Sequence, residues 1–275
     1  MDEASVSAEG LTAEEEALIR RAAETTMRLR LAVVDVAGVY VRLGPDARGL
    51  DVAARGRAAA EVERVAELWR DGEMAGSWEV EREVGWAAPG HLLGALQDSL
   101  ILALSSRPGR RAQLLPVDEA VRRVEALEAE GAFEGLDRVG EGSAGGDAPP
   151  RPGEQTDALA DSLIVACART FAFYLDLAPD GRPLEARSVE ALECLEAAAS
   201  CNRALDRERD LLEQPGAGPR LDPARAILRA MQNGLVLALS GDPARRAKAM
   251  PAGELRRRMR PLEEALDLPT GSRRG

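Results

Sequence analysis

Apolar residues recur every three or four positions along most of the chain, which is the spacing of one face of an α-helix. In one such stretch Val62, Val65, Ala66 and Trp69 fall on the same side. The pattern predicts four helices in each half of the chain. Their expected bounds are about 12–43, 51–72, 89–105 and 118–130, followed by 156–178, 185–213, 222–240 and 252–266.

The third helix of each half differs from the others because it has almost no polar face. In the first half its leucines and isoleucine lie on all sides, at Leu92, Leu93, Leu96, Leu100, Ile101, Leu102 and Leu104. A helix that is apolar all round is buried on nearly all sides. We therefore expect this helix to be the central one of its unit.

Start signals support several of these helices. Thr12 and Glu15 form a T-x-x-E capping box before the first helix. Asp51 begins the second helix, and Pro89 suits the first turn of the third. In the second half, Asp222-Pro223 and Asp242-Pro243 are each expected to be an N-cap followed by the first helical residue.

The two halves of the chain resemble each other in sequence. Residues 94–112 and 229–247 are identical at 11 of 19 positions, which exceeds what shared composition gives. Upstream, "YVRLGPD" at 40–46 matches "YLDLAPD" at 174–180, so the order of elements is the same in both halves. The chain is interpreted as a tandem duplication of a unit of about 110 to 130 residues.

These observations predict an all-α protein of two pseudo-symmetric helical halves. Unit 1 is expected at 1–130, a flexible Gly/Pro-rich linker at 131–155, unit 2 at 156–268 and a disordered basic tail at 269–275. Two accounts of the repeated helix stay open. Each copy supplies the buried helix of its own unit, or both copies pack against each other at a pseudo-twofold axis, as in a fused homodimer.

Composition supports a helical fold and reduces the classes of partner that the protein could bind. Hydrophobic residues make up 45% of the chain and aromatic residues 3%, so the apolar material is mostly good helix former. Residues 1–150 contain 28 acidic and 17 basic residues, whereas residues 151–275 contain 19 of each. An acidic first half argues against nucleic-acid binding, which needs a basic surface. The local exception is "RRRMR" at 256–260, where an anionic partner is the alternative to a solvated helix face.

A cytoplasmic protein without a membrane segment is expected. No apolar run reaches the roughly 18 residues that a spanning helix needs, and the first residues are acidic. Cys167, Cys194 and Cys201 form no C-x-x-C pair, and His91 is the only histidine, so no zinc site is predicted. The cysteines are expected to be small buried thiols.

Four polar residues interrupt the predicted central helices and are the best candidates for a function. They are Gln97 and Asp98 in the first copy and Gln232 and Asn233 in the second. Buried polar groups must find partners, so these residues either form interhelical hydrogen bonds that fix the packing register or line a cavity between the halves.

Four further residues are candidates for contact with a ligand or partner. His91, near the start of the third helix, has Ala226 as its counterpart, which fits a specialised first half and equally fits drift. Trp69, Trp78 and Trp86 all lie in unit 1, and tryptophans are enriched at interaction hot spots. Ordinary packing of these rings is the alternative.

Asn202, Asp206 and Asp210 lie four residues apart and share one helix face. This spacing resembles the second metal-binding motif of class I terpene synthases, in which an Asn, a hydroxyl residue and an acid hold magnesium against a diphosphate. Here Asp206 replaces the hydroxyl residue and Asp210 the glutamate, and no Asp-Asp-x-x-Asp motif occurs. A solvated helix face is the alternative, and the corresponding stretch of unit 1 places Asp71 opposite Asp206.

The sequence therefore favours a non-enzymatic helical protein that needs no cofactor and binds another protein. The first alternative is a small-molecule-binding protein or a Mg-dependent terpene synthase-like enzyme with an apolar interhelical cavity. The second alternative is a structural subunit that assembles through its pseudo-symmetric faces, which includes a homo-oligomer.

Overall fold

The computed structural model describes residues 13–74, 87–130, 154–177, 188–207 and 218–266, and these ranges contain ten helices and no strand. The helices are α1 (Ala13–Leu43), α2 (Val52–Met74), α3 (Ala87–Leu104), α4 (Pro108–Arg111), α5 (Val117–Ala129), α6 (Glu154–Leu177), α7 (Ser188–Arg207), α8 (Gly218–Leu239), α9 (Pro243–Arg246) and α10 (Ala252–Leu266). The predicted all-α class is confirmed. We call the part up to Glu130 the first half and the part from Glu154 the second half.

The eight long helices correspond to the eight that the sequence predicts. The two short helices, α4 and α9, replace what the pattern reads as turns after the third helix of each half. Each begins with a proline at its first position, where the missing N–H costs no hydrogen bond.

The N-cap predictions have different outcomes. The Oδ1 atoms of Asp51 and Asp242 accept hydrogen bonds from the backbone N–H groups of Ala54 at 2.7 Å and Ala244 at 2.9 Å. Asp222 is not an N-cap, because α8 already begins at Gly218. Thr12 of the predicted capping box lies outside the described residues.

The third helix of each half is buried, as its sequence predicts. In α3 every residue from Leu92 to Ala103 is buried, and in α8 the same holds from Ala230 to Ala238. These two helices are surrounded by packed neighbours because neither has a polar side that water could solvate.

The helices of the two halves pack against each other. Helix α2 of the first half lies against α8 of the second, and α7 of the second half lies against α3 of the first. The buried apolar side chains of both halves form a single core cluster. Each central helix is therefore covered partly by its own half and partly by the other.

Several contacts occur once in each half. The hydroxyl groups of Tyr40 and Tyr174 donate to the backbone carbonyls of Leu115 and Met250, each at 2.5 Å. From the ends of the short helices α4 and α9, Arg111 and Arg246 donate to the carbonyls of Ser105 and Ser240, each at 2.7 Å. The latter bonds occupy carbonyl groups that the end of a helix leaves without an intrahelical partner.

Candidate functional site

The four polar residues predicted on the central helices come together in the core. The Gln97 side chain on α3 donates from Nε2 to Oδ1 of Asn233 on α8 at 2.9 Å. The Gln232 side chain on α8 donates to Oδ1 of Asp98 on α3 at 2.8 Å. All four side chains are 2% exposed or less.

These two hydrogen bonds are reciprocal. In the sequence match, Gln97 corresponds to Gln232 and Asp98 corresponds to Asn233. Each glutamine therefore donates to the residue that follows its counterpart in the other half. The pattern of contacts is therefore the same when it is followed from α3 or from α8.

Asp98 carries a full charge in the core, and an arginine neutralises it. The Arg229 guanidinium donates to both carboxylate oxygens of Asp98, at 2.7 and 2.8 Å. Gly94 makes room for this guanidinium, since a Cβ atom there would lie 2.8 Å from Nη2 of Arg229. The pair is bidentate, which is the strongest geometry for such a contact.

Asn202, predicted as a metal ligand, belongs to the same assembly. Its Nδ2 donates to Oε1 of Gln232 at 2.9 Å, and its side chain is buried. We call the set of Gln97, Asp98, Asn202, Arg229, Gln232 and Asn233 the central polar cluster. Within the described residues, three of its buried atoms have no hydrogen-bond partner, namely Gln97 Oε1, Asn202 Oδ1 and Asn233 Nδ2.

Asp206, the second predicted metal ligand, is held by two arginines. Arg203 on the same helix pairs with it, and Nη1 of Arg123 on α5 lies 3.1 Å from Oδ2 of Asp206. Asp210 lies outside the described residues. Among the residues that the structure describes, no group of three or more His, Cys, Asp or Glu side chains is placed to hold a metal ion.

A matching ionic cluster lies at the other side of the molecule, between α2 and α10. The buried Arg70 guanidinium donates to both oxygens of Glu254 at 2.9 and 2.7 Å, to Glu73 at 3.1 Å and to the carbonyl of Lys248 at 3.1 Å. Arg258 pairs with both carboxylates. One guanidinium thereby joins α2, α10 and the turn between α9 and α10.

The ion pairs around Asp206 and those around Arg70 have the same arrangement. Arg203 pairs with Asp206 as Arg70 pairs with Glu73, in each case three residues apart on one helix. Arg203 also donates to a backbone carbonyl across the halves, as Arg70 does. These contacts match Glu73 with Asp206, so the sequence-based match of Asp71 with Asp206 is wrong by two positions. The sequence does not determine how α2 and α7 align with each other, because both are uninterrupted helices that share no repeated stretch of sequence.

The ionic cluster shifts the pKa values of its two carboxylates in opposite directions. Hydrogen bonds from Arg70 lower the pKa of Glu254 from 4.5 to about 2. Burial raises the pKa of Glu73, even though Arg258 and Arg70 favour its charged form. The charged state of these carboxylates therefore depends on the guanidinium groups of Arg70 and Arg258.

The cysteines are protonated at neutral pH. Burial raises the pKa of Cys167 to about 12, and burial together with the charge of Asp98 raises that of Cys201 to about 11. The pKa of Cys194 is also raised, chiefly by burial. A thiol is nucleophilic as the thiolate, so none of the three is activated.

Of the remaining candidates, Trp69 and His91 are not members of the central polar cluster. Trp69 is 3% exposed and packs in the core, so it does not present a ring to a partner. His91 is partly buried near the start of α3. Trp78 and Trp86 lie outside the described residues.

An open groove of about 790 Å³ lies between α6 and α7. Val165, Ala166 and Phe173 on α6 and Ala197 on α7 give it an apolar floor. Arg107, Arg110 and Arg169 line it together with Glu190 and Glu193. A smaller cavity of about 260 Å³ shares Arg110, Ser162 and Ala197 with it and extends along α7 to Leu205. We call the two together the α6–α7 groove.

The sequence pattern does not single out Arg70, Arg203 or Arg229. Their neighbours three and four positions away are mostly polar or charged, as on a solvated helix face, so no local pattern marks these arginines as buried. The α6–α7 groove has no signal in the sequence either, because small residues on a helix face are equally common where a neighbour packs closely.

No family model, curated protein or solved structure matches the chain. None of the described helices has a stretch long and apolar enough to cross a membrane. The class that fold and site define is thus an all-helical protein with a charged, hydrogen-bonded core and an open groove.

Proposed function

We propose that this protein is a non-enzymatic helical protein that acts by binding another polypeptide, and that it arose by tandem duplication. The observation that carries the binding proposal is the exposure of apolar side chains on α1, α6 and α7. Leu31, Val34 and Val41 are exposed on α1, Val165 on α6, and Val189 and Leu192 on α7.

These exposed side chains follow a pattern. Leu31, Val34 and Val41 share one face of α1, and the matched face of α6 carries Val165 and the exposed Ala168. Isolated exposed apolar residues are normal, but a row on one helix face marks an interaction site. An interaction surface inherited by both halves accounts for the exposed apolar residues on both α1 and α6.

The contacts of the central polar cluster support a structural role for residues that could otherwise be taken as catalytic or metal-binding. Asp98 and Asp206, its nearest carboxylate neighbour on α7, are each bound by arginine. A carboxylate held in this way is not available as a general base or as a metal ligand. The reciprocal hydrogen bonds between α3 and α8 favour two halves related by an approximate twofold axis.

The proposal includes a cytoplasmic location, which three free cysteines favour, since disulfides are rare in that compartment. A homo-oligomer is the nearest alternative, because an inherited self-complementary face would also place a second copy on α1 or α6.

Photo-crosslinking in the cells of origin tests the proposed function. A photoreactive residue is placed at Leu31, Val34, Val165 or Leu192, and at the exposed Arg57 on α2 as a control. The expected result is a crosslink to one identified polypeptide from the apolar positions and none from position 57. Native mass spectra that show a retained small molecule, with no crosslinked polypeptide, would contradict the proposal.

A further inference from the structure

The α6–α7 groove has the shape of a seat for a helix. Along α7 it is lined by residues of a single helix face, which are Glu190, Glu193, Cys194, Ala197, Cys201 and Ala204. From Glu190 to Leu205 this face extends about 22 Å at roughly 1.5 Å per residue, the length of a helix of about 15 residues. On α6 the lining residues run from Ser162 to Phe173, about 17 Å by the same rise. A groove lined by two helices over this length fits an elongated ligand.

Many of the side chains that line the groove are small, although Val165 and Phe173 on α6 are not. Cys194, Ala197, Ser200 and Ala204 lie along α7, and Ala166 lies opposite on α6. Packed helix axes lie about 8 to 10 Å apart, and small residues at the contact favour the shorter distance. A third helix can therefore approach α6 and α7 closely.

The matched face of α2 is not small. Because Arg70 matches Arg203 and Glu73 matches Asp206, a residue of α2 corresponds to the one 133 positions later in α7. Cys194 and Ala197 then correspond to Glu61 and Arg64, which form an ion pair at 2.5 Å next to Asp35 on α1. On that side the chain covers the helix face with its own charged side chains.

Charge is also distributed differently on the two sides. Arg245, on α9, pairs with Glu63 at 2.8 Å and with Glu67 at 3.1 Å. Its counterpart in the groove is Arg110, and Glu67 is matched there by Ser200. One of the two carboxylates that would neutralise Arg110 has thus been replaced by a hydroxyl group, whereas Glu63 is matched by Glu196.

Two cations of the groove have no ion pair within the described residues. Arg107 is paired with Glu193, whereas Arg110 and Arg169 are not paired. They line the groove from two different elements, Arg110 from α4 and Arg169 from α6. A ligand with carboxylates at its edges would neutralise both, and such charge pairing gives specificity and a faster association rate.

We infer that the α6–α7 groove binds an amphipathic helix of a partner protein, with an apolar face toward α6 and α7 and acidic residues toward Arg110 and Arg169. The inference rests on the proposed function and names the surface and the chemistry of the partner. A small molecule fits less well, because pockets for such ligands bury most of the ligand surface and this groove is open along its length.

Selection from a displayed library of 15-residue helical peptides on the full-length protein tests this inference. The expected result is enrichment of amphipathic sequences rich in Glu and Asp. Their synthetic forms should bind at least tenfold more tightly than forms in which Lys replaces those acids. Arg110→Glu together with Arg169→Glu should invert that preference, which loss of folding would not do.

A second variant fills the groove without disturbing the fold. Cys194→Glu together with Ala197→Arg installs on α7 the ion pair that α2 already carries, and should weaken the selected peptides at least tenfold. Arg57→Ala, on the exposed face of α2, is the control and should leave peptide binding unchanged. Equal affinity for acidic and basic peptides, or binding that ignores the filled groove, would overturn the inference.

Two outcomes separate this inference from the proposed function. Crosslinks to a partner from Leu31 and Val34, with none from Val165, would leave the proposed function standing and remove the groove as its site. Concentration-dependent dimerisation that Cys194→Glu with Ala197→Arg abolishes would assign the groove to a second copy and overturn the partner named here.

Discussion

At the scale of single residues, buried arginines replace part of the apolar core. Arg203 is 2% exposed and is the largest fully buried side chain among the described residues, and Arg70 is 7% exposed. A guanidinium presents five donors in a fixed plane, so one side chain reaches acceptors on several helices at once. Arg70 uses this to join a carboxylate of its own helix, a carboxylate of α10 and a backbone carbonyl of the other half.

Arg70→Met is expected to destabilise the protein by about 3 to 5 kcal/mol, because it leaves the buried Glu73 and its neighbour Glu254 without their main counter-charge. Urea unfolding at pH 7 measures this. The control is Arg122→Met, which removes an exposed pair with Asp118 and should cost less than about 1 kcal/mol. A cost for Arg70→Met as small as that of the control would contradict the assignment.

The pH dependence of stability should reveal Glu254. Its pKa falls from 4.5 to about 2 on folding, so its ionised form stabilises the native state above pH 4.5, and this contribution is lost as the pH falls toward 2. The free-energy difference between the natural protein and Glu254→Gln should be full at pH 7 and vanish near pH 2. The pKa of Glu73 is shifted in the opposite direction. Comparison with Glu254→Gln is therefore needed to isolate the contribution of Glu254 to the pH dependence.

At the scale of helices, Gln97 on α3 and Asn233 on α8 should contribute to stability as a coupled pair. Asn233→Leu alone strands the buried Gln97 amide and should cost about 1 to 3 kcal/mol. Gln97→Leu with Asn233→Leu removes both polar groups and should recover most of that loss. A double-mutant cycle by urea unfolding measures the coupling, and strictly additive costs would argue against the pairing.

Close packing of α8 against α6 depends on Gly234. A Cβ atom there would lie 2.6 Å from the hydroxyl oxygen of Tyr174, which is fully buried and bonded to the carbonyl of Met250. Gly234→Ala should therefore lower the melting temperature and cost about 1 to 3 kcal/mol. Gly56→Ala, in an open stretch of α2, is the control and should stabilise by up to about 1 kcal/mol.

The helices themselves could be predicted from the sequence, because apolar spacing and Asp N-caps act locally. The all-round burial of α3 also followed from its composition, and the same reasoning selected Gln97 and Gln232 as polar residues that need partners. Their pairing across the halves did not follow. It depends on which helices become neighbours, and no local pattern encodes that.

At the scale of the whole molecule, the two halves share one core. Helix α2 packs on α1 and α3 of its own half and on α8 of the other, and α7 packs on α6 and α8 of its own half and on α3 of the other. Both ionic clusters join one half to the other. The order of helices along the chain was foreseen from the repeat. The contacts of α2 and α7 across the halves were not, because they depend on how the two halves are placed against each other, which no local sequence pattern encodes.

Splitting the chain at residue 140 should yield two fragments that do not unfold cooperatively alone. Mixed in equal amounts, they should form a 1:1 complex with one cooperative transition, because each central helix is then covered again on both sides. Circular dichroism during urea unfolding and sedimentation of the mixture measure this. A cooperative transition of either fragment alone would contradict a shared core.

The pair of Gly94 and Arg229 constrains how this chain can evolve. On the proposed duplication, both positions descend from one ancestral residue, and a symmetric pair cannot hold glycine on one side and arginine on the other. A chain of two first halves would leave its central aspartates without a guanidinium, and a chain of two second halves would place two arginines beside asparagines. On this proposal, fusion into one chain permitted the difference between the two positions, and neither half could then be replaced by a copy of the other.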